Sequence, residues 1–222
     1  MKKNLLFPVT FGFSIVMFLN LSVVYASDTM VASEVSDVEE LTVLGGFTDI
    51  SDHWAKEYIL TLYDLGVVSG KTPEIFAPDE YITRAEFTKI AVNALHNNPL
   101  INNSVAPFAD VPVNSWASPY VAYAKSSGII SGYGDLFKPD NNISRAEALK
   151  VLIEAAGLDE NSDTVILSYT DVFETDWFVQ YVKYGLVKLI VDGYEDESFR
   201  PNNPITRAES AKIVVKVMEL QQ

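Results

Sequence analysis

Thr83-Arg84-Ala85-Glu86, Ser144-Arg145-Ala146-Glu147 and Thr206-Arg207-Ala208-Glu209 are one phrase written three times in a chain of 222 residues. A hydroxyl residue followed three positions later by glutamate is a reciprocal capping box. The hydroxyl accepts from one orphan backbone N–H of a helix start, and the glutamate reaches back to another. An apolar stripe follows at one-face helical spacing, Phe87, Ile90, Ala91 and Ala94 after the first box, and Ala211, Val214, Val215 and Met218 after the third. Each box therefore predicts the start of an amphipathic helix.

Working outward, the agreement continues at fixed offsets. A proline stands six residues ahead of each arginine, in Phe76-Ala77-Pro78, Phe137-Lys138-Pro139 and Phe199-Arg200-Pro201. Further upstream come Gly70, Gly132 and Gly193, then Trp54, Trp116 and Trp177. The openings are Phe47-Thr48-Asp49-Ile50, Phe108-Ala109-Asp110-Val111 and Tyr169-Thr170-Asp171-Val172. Between tryptophan and glycine the pattern predicts an earlier helix, with Trp54, Tyr58, Ile59 and Leu62 on one face, and likewise Trp116, Tyr120, Val121 and Ala124. Gly66 and Gly128 stand where that helix should stop, offering the left-handed conformation of a C-terminal cap. The third copy has Leu189 there, so its helix is expected to end differently. Two helices cannot enclose a core alone, so the units should pack on one another through the second-helix stripes. The expectation is an all-α fold: three helix-loop-helix repeats, approximately threefold, around a central helical bundle, with minor β content. The divisions are 47–106, 107–168 and 169–222.

Composition narrows the function. The formal charge is −14, from 16 Lys+Arg against 30 Asp+Glu. That surface argues against a nucleic-acid partner, which requires basic groups to displace counterions. The absence of cysteine excludes a disulfide scaffold, thiolate catalysis, Cys-ligated zinc and a lipidated-cysteine anchor. The chain has only His53 and His96, so histidine-based metal or triad chemistry has little to work with. The acidic loop Asp192 to Glu197 does not match the EF-hand template. We expect no metal and no cofactor. A glycosidase needs two positioned carboxylates, but the repeated acids have local explanations and no unrepeated domain remains for an active site. The balance points to a non-enzymatic binding protein.

The first 26 residues read as an export signal: Lys2 and Lys3, an uncharged apolar stretch from Phe11 to Val24, and a closing Val24-Tyr25-Ala26. An uncleaved anchor is the alternative; Pro8, Gly12 and Asn20 weaken it as a permanent helix. Loss of Lys2 and Lys3 takes the charge from −14 to −16 and leaves no transmembrane segment. Residues 27–46 read as an acidic linker ending in Gly45-Gly46, with Val35, Val38, Leu41 and Leu44 spaced for a short helix.

Arg84, Arg145 and Arg207 each sit at a first helical position, where the macrodipole is positive. A cation there is mildly unfavourable without an anion to meet. Free N–H groups, a dipole and a guanidinium fork together make a receptor for a carboxylate or phosphate. The alternative is an arginine paired with Asp49, Asp110 or Asp171, tying units together. Trp54, Trp116 and Trp177 fit either sugar stacking or a core aromatic. Gly70, Gly132 and Gly193 fit either close ligand approach or a turn requirement. Tyr133 and Tyr194 follow two of these glycines and offer hydroxyls; Lys71 stands in the first copy, whose loop departs from the others. Glu86, Glu147 and Glu209 read as caps rather than acids or bases.

The order Phe/Tyr-x-Asp-Ile/Val, Trp, Gly-Tyr, Phe-x-Pro, Thr/Ser-Arg-Ala-Glu resembles the S-layer homology (SLH) module, with matching blocks over residues 47–90, 108–151 and 169–213. That resemblance implies a pseudo-threefold spindle around a helical bundle. Its inter-repeat grooves would bind anionic secondary cell-wall polysaccharide, often bearing a ketal-linked pyruvate on N-acetylmannosamine, or another peptidoglycan-linked polymer. It implies a secreted protein at the cell wall or S-layer surface, or on the periplasmic wall side in a diderm bacterium. The rival expectation is a self-assembling surface-layer component or adhesin, in which contacts with other surface-layer proteins dominate.

Overall fold

Three isoleucines close a triangle of backbone hydrogen bonds at the centre of the protein. The N–H of Ile82 donates to the carbonyl of Ile205 (3.2 Å), that of Ile205 to Ile143 (3.2 Å), and that of Ile143 to Ile82 (3.1 Å). Each stands two residues before one of the tripled arginines, and all three side chains are buried. The computed structural model describes residues 46–96, 106–158 and 165–221. The export signal and all but the last residue of the acidic linker lie outside them.

Among the described residues there are six α-helices, a single 3-10 turn at Thr48–Ile50, and no extended strand. The fold is all-α. The helices are α1 (Lys56–Asp64), α2 (Arg84–His96), α3 (Ser118–Ser126), α4 (Arg145–Ala155), α5 (Val179–Val187) and α6 (Arg207–Glu219). Isolated bridges such as Tyr81 with Thr206, Thr83 with Asn142 and Ser144 with Pro204 knit the centre.

Helices α2, α4 and α6 start at the capping boxes. Ser144 and Thr206 each accept from the N–H of the glutamate three residues on, and that glutamate accepts from the capping residue's N–H. Thr83 and Glu86 make the same pair, at 3.2 and 2.9 Å. These three helices pack against each other pairwise and form the central bundle. The outer helices are exchanged: α3 packs on α2, α5 on α4, and α1, the first of the described helices, on α6, the last of them. The ring is closed by its two ends.

Helices α1 and α3 end as Gly66 (φ 69°) and Gly128 (φ 77°) turn left-handed. The following residue then donates back over five positions, Val67 to Leu62 (2.9 Å) and Ile129 to Ala124 (2.9 Å). The third copy departs from the sequence expectation. Leu189 adopts the same conformation, φ 55°, and Ile190 donates to Gly185 at 2.8 Å. The buried neighbours Ile190 and Val191 demand that geometry, so the leucine takes it despite its Cβ.

The tryptophans also depart from the helical-face reading. Each lies two residues ahead of its helix, and the next residue, Ala55, Ala117 or Phe178, takes the core position. Trp54, Trp116 and Trp177 are 56%, 56% and 57% exposed.

Candidate functional site

The helix N-termini are already satisfied. Arg84 and Ala85 donate their backbone N–H groups to the carbonyls of Asn141 (2.8 Å) and Pro139 (3.0 Å). Arg145 and Ala146 donate to Asn203 (2.9 Å) and Pro201 (2.9 Å), and Arg207 and Ala208 to Glu80 (2.8 Å) and Pro78 (2.9 Å). With the capping hydroxyls taking a third N–H, the orphan donors of each start are matched within the protein. The anion receptor expected from free N–H groups is therefore not formed. What remains is the guanidinium.

Each arginine reaches into the following repeat, in cyclic order. Arg84 donates from Nε to the Phe137 carbonyl (2.9 Å) and places Nη1 2.9 Å from Glu147 Oε1. Arg207 donates from Nε to Phe76 (2.9 Å) and from Nη2 to the Ser69 carbonyl (2.8 Å). Arg145 donates from Nη2 to the Asp192 carbonyl (2.5 Å), and its Nη1 lies 3.9 Å from Glu209. Its buried Nε has no hydrogen-bond partner. Each guanidinium also lies over the Phe ring of the Phe-x-Pro segment, at 4.9 Å (Phe137), 4.8 Å (Phe199) and 4.3 Å (Phe76). Burial pulls the Arg207 guanidinium below its ordinary value, against the opposing pull of Glu86, Glu80 and Asp49; arginine stays charged regardless.

The aspartates do something else. Asp49 accepts from the N–H groups of Phe76 (2.9 Å) and Ala77 (2.7 Å), Asp110 from Phe137 (2.8 Å) and Lys138 (2.7 Å), and Asp171 from Phe199 (2.8 Å) and Arg200 (2.8 Å). The second donor residue is left-handed each time, with φ of 61° at Ala77, 60° at Lys138 and 59° at Arg200. The carboxylate thus stabilises a conformation that a residue with a Cβ otherwise avoids. Burial raises the Asp110 carboxyl, but the two N–H donors outweigh it and hold it below its ordinary value. The alternative reading, an arginine paired with one of these aspartates, gives way to this local brace.

The glycines are likewise explained within each repeat. A Cβ on Gly70 would stand 2.4 Å from a ring carbon of Phe47; on Gly132, 2.4 Å from Phe108; on Gly193, 2.1 Å from Tyr169. The opening aromatic of each repeat needs that space.

Each glutamate divides its oxygens. One takes the capping N–H, at 2.9 Å for Glu86, 3.0 Å for Glu147 and 2.8 Å for Glu209. The other meets a side chain of the loop: Lys71 Nζ for Glu86 (3.4 Å), the Tyr133 hydroxyl and Arg84 for Glu147, and the Tyr194 hydroxyl for Glu209 (3.4 Å). Burial pushes the Glu147 carboxyl up, but Tyr133, Ser144 and Arg84 together hold it below the ordinary value. Glu86 is lowered likewise, burial being overcome by Thr83 and Lys71. Burial, then Glu147, raises the Tyr133 phenol.

Three grooves result, and each draws on all three repeats. The first holds Arg84 from repeat one, Gly132, Tyr133, Glu147 and Lys150 from repeat two, and Trp177 from repeat three, around about 200 Å³. The second holds Arg145, then Asp192, Tyr194, Glu209 and Lys212, then Trp54, around about 170 Å³. The third holds Arg207, then Ser69, Glu86 and Lys89, then Trp116, around about 220 Å³. Cavities enclosing a drug-sized ligand run to roughly 300–1,000 Å³, so each groove suits one ring or one acidic substituent of a longer molecule. The exposed indole supplies a flat apolar face and the two cations supply charge. Lys89, Lys150 and Lys212 were missed by the sequence reading, although each stands five residues after a tripled arginine. No group of three or more metal-ligating side chains occurs among the described residues, and none of their helices is long and apolar enough to cross a membrane.

The S-layer homology domain matches three times, at residues 46–88, 107–149 and 168–211. The chain belongs to the S-layer homology domain family. Its three SLH repeats are similar to segments of much larger proteins. Identity is 29% over 192 residues with the S-layer protein sap of Bacillus anthracis, covering 85% of this chain and 23% of that protein. It is 33% over 158 residues with a cellulosome-anchoring protein of Acetivibrio thermocellus, covering 68% and 35%. An amylopullulanase of Thermoanaerobacterium thermosulfurigenes is 31% identical over 178 residues, 78% of this chain and 9% of that one. The SLH chain spans about a quarter or less of the length of the S-layer proteins it matches.

Proposed function

We propose that this protein is a secreted, non-catalytic module that anchors non-covalently to the bacterial cell surface. The ligand is an anionic secondary cell-wall polysaccharide carrying acidic, pyruvate-type substituents, held in the three inter-repeat grooves. One observation carries the reading: the same set of arginine, lysine, glutamate and exposed tryptophan recurs three times in grooves that draw on every repeat. The relatives named as S-layer and cellulosome-anchoring proteins support a place at the wall, where such a module holds whatever it is joined to.

The mechanism is multivalent. Each groove takes one modest contact, a sugar unit of the polymer with its ring against the indole and its polar or acidic groups at the cations. Grooves on one rigid body then engage one polymer at high effective concentration, so avidity exceeds any single contact. Long-range electrostatics oppose the encounter, since the chain carries −14; recognition is short-ranged and confined to the grooves.

Sedimentation of the protein with purified wall sacs tests this. The protein should pellet as a monomer with intact sacs and stay in solution once the acidic polymer has been extracted. Retention on stripped sacs, or retention only after self-association, overturns it.

A further inference from the structure

The three grooves share an architecture, and one of the differences among them sets a second carboxylate in the lining. Ser69 and Ser131 precede the loop glycine in two copies; Asp192 precedes it in the third. The Asp192 carboxylate lies 2.9 Å from Lys212 Nζ, pairing the groove's own lysine. The Arg145–Trp54 groove thus sets two cations, Arg145 and Lys212, against two carboxylates, Asp192 and Glu209. The Arg84–Trp177 groove has Arg84 and Lys150 against Glu147 alone. The Arg207–Trp116 groove has Arg207 and Lys89 against Glu86, which is already met by Lys71 from the loop rim.

Arginine placement differs too. Arg84 and Arg207 anchor Nε on a phenylalanine carbonyl, whereas Arg145 Nε has no partner; its Nη2 donates to the Asp192 carbonyl as that of Arg207 does to Ser69. Asp192 acts in its groove through its carboxylate, which neutralises the lysine.

We propose that Asp192 makes the Arg145–Trp54 groove a site for an uncharged sugar unit, leaving the Arg84 and Arg207 grooves as the two that take acidic units. This rests on the wall-glycan reading and assigns the grooves different ligands within it. A polymer alternating acidic and neutral residues would fill all three.

The chain holds three tryptophans, one per groove, so their indole N–H resonances report each groove separately. Methyl β-glucuronide and methyl β-glucoside serve as acidic and neutral probes in a nitrogen–proton NMR titration of the whole protein. The glucuronide should shift the Trp116 and Trp177 signals and leave Trp54 in place, while the glucoside moves Trp54. Asp192→Ser should make Trp54 respond to the glucuronide, and more strongly at low salt than at high. Ser131→Asp should silence Trp177 towards the same probe. The Asp192 side chain is 70% exposed, so its replacement leaves the fold intact. Equal response of all three indoles to glucuronide in the wild type overturns the inference while leaving the groove reading standing. A Trp54 that stays silent to glucuronide in Asp192→Ser overturns the role of Asp192. Failure of every indole to move with either glycoside, or with purified acidic wall polymer, overturns the groove reading itself and this inference with it.

Discussion

Arg84 of the first repeat meets Glu147 of the second at 2.9 Å, with the two side chains 10% and 20% exposed. The same glutamate caps its own helix, so a groove cation is also a fastener between repeats. Arg84→Ala would strand a half-buried carboxylate and release the Phe137 carbonyl. The expected loss is about 2–4 kcal/mol of unfolding free energy, read by urea denaturation, with any loss of wall binding superimposed. An unchanged midpoint would show that the arginine is not an inter-repeat tie.

Trp116 separates binding from stability. It is 56% exposed and lines a groove without filling the core. Trp116→Ala should leave the melting temperature within about 2 °C and weaken retention on wall sacs several-fold. Trp54→Ala and Trp177→Ala are the matching tests in the other grooves.

Leu189 is a residue in a glycine's place. Its φ is 55°, and its side chain is largely exposed. Leu189→Gly relieves the left-handed strain at little cost in burial, and should stabilise the protein by about 1 kcal/mol in thermal or urea unfolding. A destabilised variant would show that the leucine side chain packs where its exposure says it does not.

Gly193 carries the opposite expectation. A Cβ there would lie 2.1 Å from the Tyr169 ring, so that ring or the loop has to move. Gly193→Ala should cost about 2–3 kcal/mol. Wild-type stability in this variant would mean that the ring shifts freely.

Acid should unfold the protein through specific carboxylates. Glu86, Glu147 and Asp110 are held below their ordinary values in the folded state. The unfolded chain therefore takes up protons first as pH falls. Their stabilisation is fully present above about pH 5 and is lost as pH drops through the folded values. Denaturation free energy measured between about pH 7 and pH 3 should be flat and then fall. Glu147→Gln should be less stable at neutral pH and less sensitive to acid.

Much of this was legible in the residues because it is local. A capping box specifies its own helix start, the left-handed glycines specify the ends of α1 and α3, and the apolar stripes specify which helix faces must be covered. The conflict at Leu189 was visible as well, but its resolution was not. Whether a leucine ends the helix or tolerates positive φ depends on the buried Ile190 and Val191 beyond it.

The sequence by itself determined three equivalent helical units, the starts of their second helices, and the arginine, tryptophan and glutamate that recur in each. Tertiary structure alone decided which unit meets which. The three copies carry the same motif residues, so nothing local says whether Arg84 turns to its own loop or to the next one. Packing settles it: α1 closes on α6, the isoleucine triangle fixes the axis, and each loop receives the arginine of the repeat before it and the tryptophan of the repeat after it. The grooves exist only in that closed ring. Their charge is then set by what faces inward across repeats, so a single departure such as Asp192 gains meaning only beside Lys212 and Arg145.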